Sequence, residues 1–291
     1  MNGHTKLAAL AALFACALLA LASCKKVPDN REILVVSFGT SYNTARELEI
    51  GGVESAVASA FKGCKIARAF TSDTIIRILK KRENLAIDNV DEALERAVND
   101  GIDTLIVQPT HLMSGFEFAD LQESLAKYED KFRKVVLAKP LLADDVDFDE
   151  VADAVAARTA EFKDGKTAVC LMGHGTEAAA NSVYARMQDV LSSKGLADYY
   201  VGTVEAEPGV GDLLAAIQEA GRCSKVVLLP FMVVAGDHAN NDMAGDGADS
   251  WKSVFQAAGF EVECVLEGLG QNPAIQQIYV RHAKEAAGSL F

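Results

Sequence analysis

The sequence predicts an α/β protein made of two similar halves, each with a parallel sheet flanked by helices. Three observations support this fold class. Apolar strand-like segments alternate with amphipathic helical segments along the chain, as in parallel α/β folds. The strand-like segments are apolar throughout, as expected where helices cover both faces of a sheet. Finally, a set of short motifs occurs twice, once in each half of the chain.

Six segments have the composition of buried strands, because they are rich in Val, Ile and Leu and do not alternate between polar and apolar residues. The predicted strands cover residues 33–38, 104–108, 135–138, 167–172, 225–229 and 261–266. Helical periodicity covers residues 44–61, 74–81, 90–100, 118–131, 149–163, 178–191, 211–220 and 249–258. A last helix starts with Asn272 as N-cap and Pro273 in its first turn.

The internal repeat locates the two halves. ILVVSFGTS (33–41) aligns with VCLMGHGTE (169–177), and QPTHLMSGFE (108–117) aligns with LPFMVVAGDH (229–238). Each half therefore contains a strand followed by a Gly-Thr turn, and later a strand followed by Pro, an apolar run and Gly. We assign residues 30–145 to the N-terminal half, 146–268 to the C-terminal half and 269–291 to a C-terminal helix. Parallel sheets bind ligands beyond the carboxyl ends of their strands, so a cleft between these ends is expected.

The alignment predicts which residues occupy equivalent strand ends. The pairs are Phe38 with His174, Thr71 with Glu205, and Glu117 with His238. The C-terminal half thus collects two imidazoles and a carboxylate, ligands that suit a divalent transition metal ion. Three protein ligands leave coordination positions open for a substrate. The sequence therefore predicts a metal site made of His174, Glu205 and His238.

Each of these residues also has an ordinary explanation when it is considered alone. His174 stands between two glycines in a turn, and Glu205 can be a solvated loop carboxylate. Asp242 lies four residues after His238, so it can orient the imidazole ring on a shared helical face, although a neighbouring residue can simply cap the helix. The prediction rests on the three residues together, since the chain holds only five histidines and two of them fall at strand ends of the same half.

Composition and missing motifs exclude several functions. The net charge of −13 argues against nucleic acid as a partner, because its binding depends on basic surfaces. The sequence lacks G-x-x-x-x-G-K-[ST], H-E-x-x-H and G-x-S-x-G, which argues against a nucleotide-driven motor, a zinc protease of that type and a serine hydrolase. No nucleotide cofactor is expected.

Residues 1–23 have the pattern of a signal peptide: a basic residue, an apolar stretch and small residues before Cys24. The protein is therefore expected to be exported to the periplasm. Two interpretations of Cys24 stay open, lipidation as a membrane anchor or an incidental cysteine near an ordinary cleavage site. Export permits disulfides, and four further cysteines allow three pairings without a preference. Their positions are 64, 170, 223 and 264.

Six segments in order resemble the anaerobic, ATP-independent cobalt chelatases of cobalamin biosynthesis. They are LVVSFGTSY (34–42), RAFTSDTIIRILKKR (68–82), MGHGTE (172–177), VEAEP (204–208), VAGDHANNDMAGD (234–246) and LGQNPAI (269–275). The resemblance implies the chelatase fold, with a C-terminal helix that crosses back. It also implies that His174, Glu205 and His238 bind metal and accept protons, and that Glu117 lines the same cleft.

The implied reaction is insertion of Co²⁺, or Fe²⁺, into a sirohydrochlorin-type tetrapyrrole. We expect His174, His238 and Glu117 to act in catalysis, because the pyrrole N–H protons must be accepted as the ion transfers. The carboxylates of the tetrapyrrole can bind Arg68 and the backbone N–H groups of helices that start after Ser41 and Thr176. The basic residues 80–82, which follow in the same segment, can equally be a solvated helix end.

A second class of function stays open from the sequence. Two α/β halves, a cleft and an export signal also describe a periplasmic protein that binds or transports metal or tetrapyrrole without turnover. Catalytic turnover in a metal-insertion assay separates the two classes. The sequence does not determine whether the protein is a homo-oligomer, and it assigns no role to His111 or His282.

Overall fold

A computed structural model describes residues 30–288 of the chain. Of these, residues 31–288 belong to one compact unit. The proposed signal peptide and Cys24 lie outside the described residues, so export and lipidation stay predictions. The division at 145/146 and 268/269 also stays a prediction. Within residues 30–288, no helix has both the length and the apolar composition needed to cross a bilayer, and no disulfide joins the cysteines, which are all thiols.

The described residues form two four-stranded parallel sheets with the same strand order, which confirms the predicted fold class. The N-terminal sheet has the order β2-β1-β3-β4, and the C-terminal sheet has the order β6-β5-β7-β8. The first four strands are β1 (Arg31–Ser37), β2 (Lys65–Phe70), β3 (Thr104–Pro109) and β4 (Lys134–Leu137). The second four are β5 (Thr167–Gly173), β6 (Tyr199–Thr203), β7 (Lys225–Pro230) and β8 (Glu261–Cys264).

Nine helices connect and cover the strands in the described part of the chain. They are α1 (Gly51–Ala60), α2 (Asp73–Glu83), α3 (Val90–Asn99), α4 (Phe116–Ala126), α5 (Asp145–Arg158), α6 (Ser182–Ser193), α7 (Val210–Ala220), α8 (Trp251–Ala257) and α9 (Pro273–Ala287). A short α-helical turn (Asn43–Ala45) and a π-helical segment (Arg46–Ile50) lead without a break into α1. A second π-helical segment, Ala239–Met243, follows β7. The sequence pattern gave no indication of either π-helical segment.

The C-terminal helix α9 joins the two halves. It starts as predicted, with the Asn272 side chain accepting a hydrogen bond from Ala274 and with Pro273 in its first turn. The helix packs against α1 and β3 of the N-terminal half and against α5. The buried hydroxyl of Tyr279 donates to the carbonyl of Thr110, just beyond β3, at 3.0 Å. The helix therefore crosses back onto the first half.

Candidate metal centre

Three of the predicted residues meet at one edge of the C-terminal sheet. His174 follows β5 directly, Glu205 lies two residues after β6, and His238 lies in the helical turn after β7. Because β6, β5 and β7 are neighbours in that order, their carboxyl ends bring the three side chains together. One potential ligand atom from each residue lies within 4.8 Å of the other two. The fold thus contains the expected constellation, and its role in metal binding stays a prediction.

The three side chains are open to solvent. Nε2 of His174 lies 3.8 Å from Oε2 of Glu205, and these side chains are 46% and 55% exposed. The rings of His174 and His238 meet edge to face, with centroids 4.6 Å apart. The His238 side chain is 31% exposed. An ion held here can therefore exchange with solvent, unlike an ion in a closed structural site.

Hydrogen bonds orient both imidazole rings. Nδ1 of His174 lies 2.8 Å from the carbonyl of Gly175, which can only accept, so Nδ1 carries the proton. Nδ1 of His238 lies 2.7 Å from a carboxylate oxygen of Asp242, the partner expected from the sequence. Both bonds leave Nε2 with its lone pair available. Metal-binding histidines commonly use this arrangement, in which the second nitrogen donates to a carbonyl or carboxylate.

The two glycines beside His174 have different physical roles. Gly175 has φ +91°, a conformation that side chains disfavour, and an added Cβ would lie 2.8 Å from the backbone nitrogen of Ala206. Gly173 lies in β5 under the ring of Tyr184, and a Cβ there would lie 2.1 Å from that ring. One glycine therefore turns the chain and the other makes room for a tyrosine. The expected sharp turn needs only Gly175.

The predicted pairing of Thr71 with Glu205 is wrong by one residue. The N–H of Glu205 donates to the carbonyl of His174 at 2.9 Å, and the corresponding bond in the N-terminal half runs from Ser72 to Phe38 at 3.2 Å. Ser72, which caps α2, is thus the equivalent of Glu205. The error arose because β2 carries no Gly or Pro that can be matched to Gly202 of β6, so no shared residue anchors the alignment between the two motifs.

The pairing of Glu117 with His238 agrees with the structure, because each is the second residue of the helical segment that follows an equivalent glycine. Glu117 is exposed and is not among the three residues whose ligand atoms converge. Burial raises the pKa of Tyr184, backbone hydrogen bonds at Gly175 and His174 act the other way, and the Glu117 carboxylate raises it slightly. The place of Glu117 in the cleft stays a prediction.

Arg68 is occupied by a partner within its own half. Its guanidinium forms two hydrogen bonds with the Glu54 carboxylate, at 2.6 and 2.5 Å. This bidentate pair balances the charge of Arg68. Contact of Arg68 with a substrate carboxylate stays a prediction, and it would require Arg68 to share or exchange this partner.

Both predicted anion-binding turns lead into helical segments. The chain becomes helical at Asn43, directly after the segment that contains Ser41, as expected. After Thr176, a 3₁₀-helical turn (Ala179–Asn181) leads directly into α6, so a helical segment follows this residue as well. The N–H of Thr176 donates to the side chain of Asn181 in that turn at 3.0 Å. Binding of substrate by either residue stays a prediction.

Sequence reasoning missed two buried residues that support this edge of the sheet, Tyr184 and Glu49. The hydroxyl of Tyr184 accepts a hydrogen bond from the N–H of Gly175 at 3.3 Å. The Glu49 side chain is 2% exposed and contacts the loop that precedes His238. One signal was present, since Glu49 has helical spacing with the buried Val53 and therefore lies on an apolar face.

Comparisons with known proteins give one consistent result. The model of the cobalt chelatase family CbiK matches residues 31–288. A sirohydrochlorin cobaltochelatase of Salmonella typhimurium is 35% identical over 256 residues, which cover 88% of this chain and 96% of the relative. The sirohydrochlorin cobaltochelatase CbiKC of Nitratidesulfovibrio vulgaris is 29% identical over 260 residues, covering 89% and 91%. The structure of SirB from Bacillus subtilis with Fe³⁺ matches with a TM-score of 0.63 at 15% identity, covering 90% and 97%.

Proposed function

The chain belongs to the cobalt chelatase family CbiK, and we propose that it is a metal chelatase that inserts Co²⁺ into sirohydrochlorin without a nucleotide. The observation that carries the proposal is the open cluster of two imidazoles and one carboxylate whose Nε2 atoms are available. The relatives named as sirohydrochlorin cobaltochelatases, matched over most of their length, support the choice of metal and tetrapyrrole.

In the proposed reaction, the ion is a substrate that the protein holds only briefly. Nε2 of His174, Nε2 of His238 and a carboxylate oxygen of Glu205 bind Co²⁺, and the remaining positions are open to the macrocycle. Two pyrrole N–H bonds break and Co–N bonds form, so two protons must leave. His174 takes one proton as its Nε2 releases the ion, and Glu117 relays the other from the opposite wall.

The N-terminal half supplies an apolar wall for the macrocycle. Phe38 and Phe116 are 53% and 59% exposed, which is unusual for large aromatic residues. They follow the carboxyl ends of β1 and β3, and Phe38 is the equivalent of His174. The hydroxyl of Tyr42 lies 3.4 Å from the carboxylate of Asp237, so the segments that follow β1 and β7 meet. A flat tetrapyrrole between this wall and the C-terminal half would turn one face, with its central nitrogens, toward the side chains of His174, Glu205 and His238.

The ligand set accepts more than one metal. Two imidazoles and a carboxylate bind Co²⁺, Fe²⁺, Ni²⁺ and Zn²⁺ with affinities that follow the general order of these ions. We propose Co²⁺ as the substrate on the basis of the two sequence relatives. Fe²⁺ is the second candidate, and the insertion assay separates the two ions when each is offered alone.

The test is a spectroscopic assay with the protein, sirohydrochlorin and Co²⁺. We expect catalytic turnover in the wild type, and a loss of at least about 100-fold in His174→Ala and His238→Ala, because each change removes a metal ligand and His174→Ala also removes a proton acceptor. Glu205→Gln should also weaken insertion. Glu219→Gln changes an exposed carboxylate on α7 and should leave turnover unchanged. A stoichiometric endpoint in the wild type would instead indicate a carrier.

A further inference from the structure

The buried carboxylate of Glu49 lies between the two halves. It belongs to the π-helical segment Arg46–Ile50 of the N-terminal half and is 2% exposed. Its two oxygens accept hydrogen bonds from backbone N–H groups of the C-terminal half, from Ala235 at 2.7 Å and from Gly268 at 2.6 Å. A buried carboxylate is costly unless it is well bonded. Short bonds from backbone amides are the kind that stabilise a negative charge.

Two glycines allow the chain to pack closely around Glu49. A Cβ at Gly268 would lie 2.5 Å from the carbonyl of Val233 and 2.8 Å from Oε2 of Glu49. A Cβ at Gly270 would lie 2.8 Å from the carbonyl of Glu49. The two glycines therefore allow the chain at residues 268–270 to lie close to both Glu49 and Val233. A side chain at either position would collide with the backbone on which the contact of Glu49 depends.

The same contact leads directly to the metal centre. Ala235 starts the turn that carries His238. The N–H of Ala235 is held by Glu49, and the carbonyls of Ala235 and Gly236 accept hydrogen bonds from the side chain of Asn240, at 3.3 and 2.7 Å. Glu49 of the N-terminal half therefore holds the turn through an N–H group, and Asn240 of the helical segment after the turn holds it through two carbonyl groups. Movement of Glu49 would shift the backbone three residues before His238.

We propose that Glu49 is a positioning residue for metal transfer: it fixes His238, and with it the metal cluster, relative to the wall formed by the N-terminal half. The inference rests on the proposed chelatase function. Ligand side chains must be held to within about 0.5 Å for efficient function, and here a residue of the opposite half provides part of that support. Glu49 touches neither ion nor tetrapyrrole in this assignment.

Glu49→Gln tests the proposal with a side chain of the same shape. One oxygen becomes an NH₂ group that cannot accept, so one of the two backbone N–H groups loses its partner. We expect the Kd for Co²⁺ alone to rise about 10-fold, at the low end of the range for groups that orient metal ligands, and the visible absorption of bound Co²⁺ to change. Calorimetry and absorption spectroscopy without tetrapyrrole measure both.

Glu32→Gln is the matched control. Glu32 is a fully buried carboxylate of the same half, but it lies at the amino end of β1 and pairs with Lys65 and Arg96. The substitution Glu32→Gln should lower thermal stability and leave the Kd and the spectrum of bound Co²⁺ unchanged. Glu49→Asp keeps the carboxyl group but is too short to reach both N–H groups, and it should weaken Co²⁺ binding as well.

Two results would overturn the inference. One is a folded Glu49→Gln protein that binds Co²⁺ with the wild-type Kd and spectrum. If Glu49→Gln does not fold, the same result for Glu49→Asp is decisive. These measurements use Co²⁺ alone, so they are separate from the proposed function, which fails if the wild type binds Co²⁺ but does not insert it into sirohydrochlorin.

Discussion

Two buried side chains have pKa values shifted in opposite directions. Burial lowers the pKa of His111 from 6.5 to about 4, against a weaker effect of Glu117, and neither ring nitrogen has a hydrogen-bond partner among the described residues. Burial raises the pKa of Glu49 from 4.5 to about 7, although its two backbone hydrogen bonds act the other way. Between about pH 4.5 and 6.5, His111 makes the fold less stable as pH falls and Glu49 makes it less stable as pH rises. The two effects offset each other.

His111→Met removes one of these two effects and should change how stability depends on pH. Met232 occupies the equivalent position in the other half, so a methionine is a reasonable replacement. In this pH range His111 binds a proton in the unfolded wild type but not in the folded protein, which lowers the wild-type free energy of unfolding. The variant has no His111 and does not lose this stability. Relative to wild type, its free energy of unfolding should therefore increase as pH falls from 6.5 to 5, by on the order of 1 kcal/mol per pH unit. Urea unfolding at several pH values measures the difference, and a constant difference would contradict the prediction.

At the scale of elements, the two Gly-Thr turns show how the repeat is built. Gly39 and Gly175 follow the central strands β1 and β5 and have similar positive φ values, +97° and +91°. A Cβ at Gly39 would lie 2.5 Å from the ring of Phe70, at the end of the neighbouring strand. In both halves, therefore, the turn packs tightly against the chain that leaves the adjacent strand. In the C-terminal half this contact sets the separation of His174 and Glu205.

Gly175→Ala should disturb the site and the fold together. The positive φ costs an alanine about 1–3 kcal/mol, and the new Cβ would push the backbone at Ala206 away, which moves Glu205 from His174. We expect a lower midpoint of thermal unfolding and weaker Co²⁺ binding, measured by calorimetry. Gly211→Ala is the control, since a Cβ there meets nothing within 4 Å. It should stabilise the protein by about 0.5 kcal/mol without changing Co²⁺ affinity.

The central strands could be predicted from the sequence because they are buried on both faces and continuously apolar. β1 has six buried residues in a row, and β5 is buried along its whole length. The edge strands β2 and β6 were not among the predicted strands. β2 has the sequence KIARAF, with an exposed first residue and only two buried ones at its end. The meeting of His174 and His238 could be predicted because each follows a predicted strand, β5 or β7. Glu49 acts across the two halves, and alignment of the two repeats does not reveal such a contact.

At the scale of the whole molecule, the two sheets share one apolar core. The main cluster of buried residues contains Ile33 and Val35 from β1, Val169 and Leu171 from β5, and the buried face of α9. Glu49 adds a polar link between the halves on the side of the metal centre. Neither sheet can bury its inner face alone, so the halves described by the sequence repeat should behave as one cooperative unit.

Asp147→Asn tests this cooperativity at the C-terminal helix. The fully buried Asp147 carboxylate lies 2.9 Å from Nε2 of His282 and accepts from Arg281 at 2.7 Å, so it ties α5 to α9. Replacing it leaves the Arg281 guanidinium without its buried partner, which should cost about 3 kcal/mol. The chain has one tryptophan, Trp251, buried in the outer core of the C-terminal sheet. Its fluorescence reports that half, and far-UV circular dichroism reports both. We expect both midpoints in urea to fall together, because loss of α9 opens the shared core. A variant whose fluorescence midpoint stayed at the wild-type value would show that the halves unfold independently.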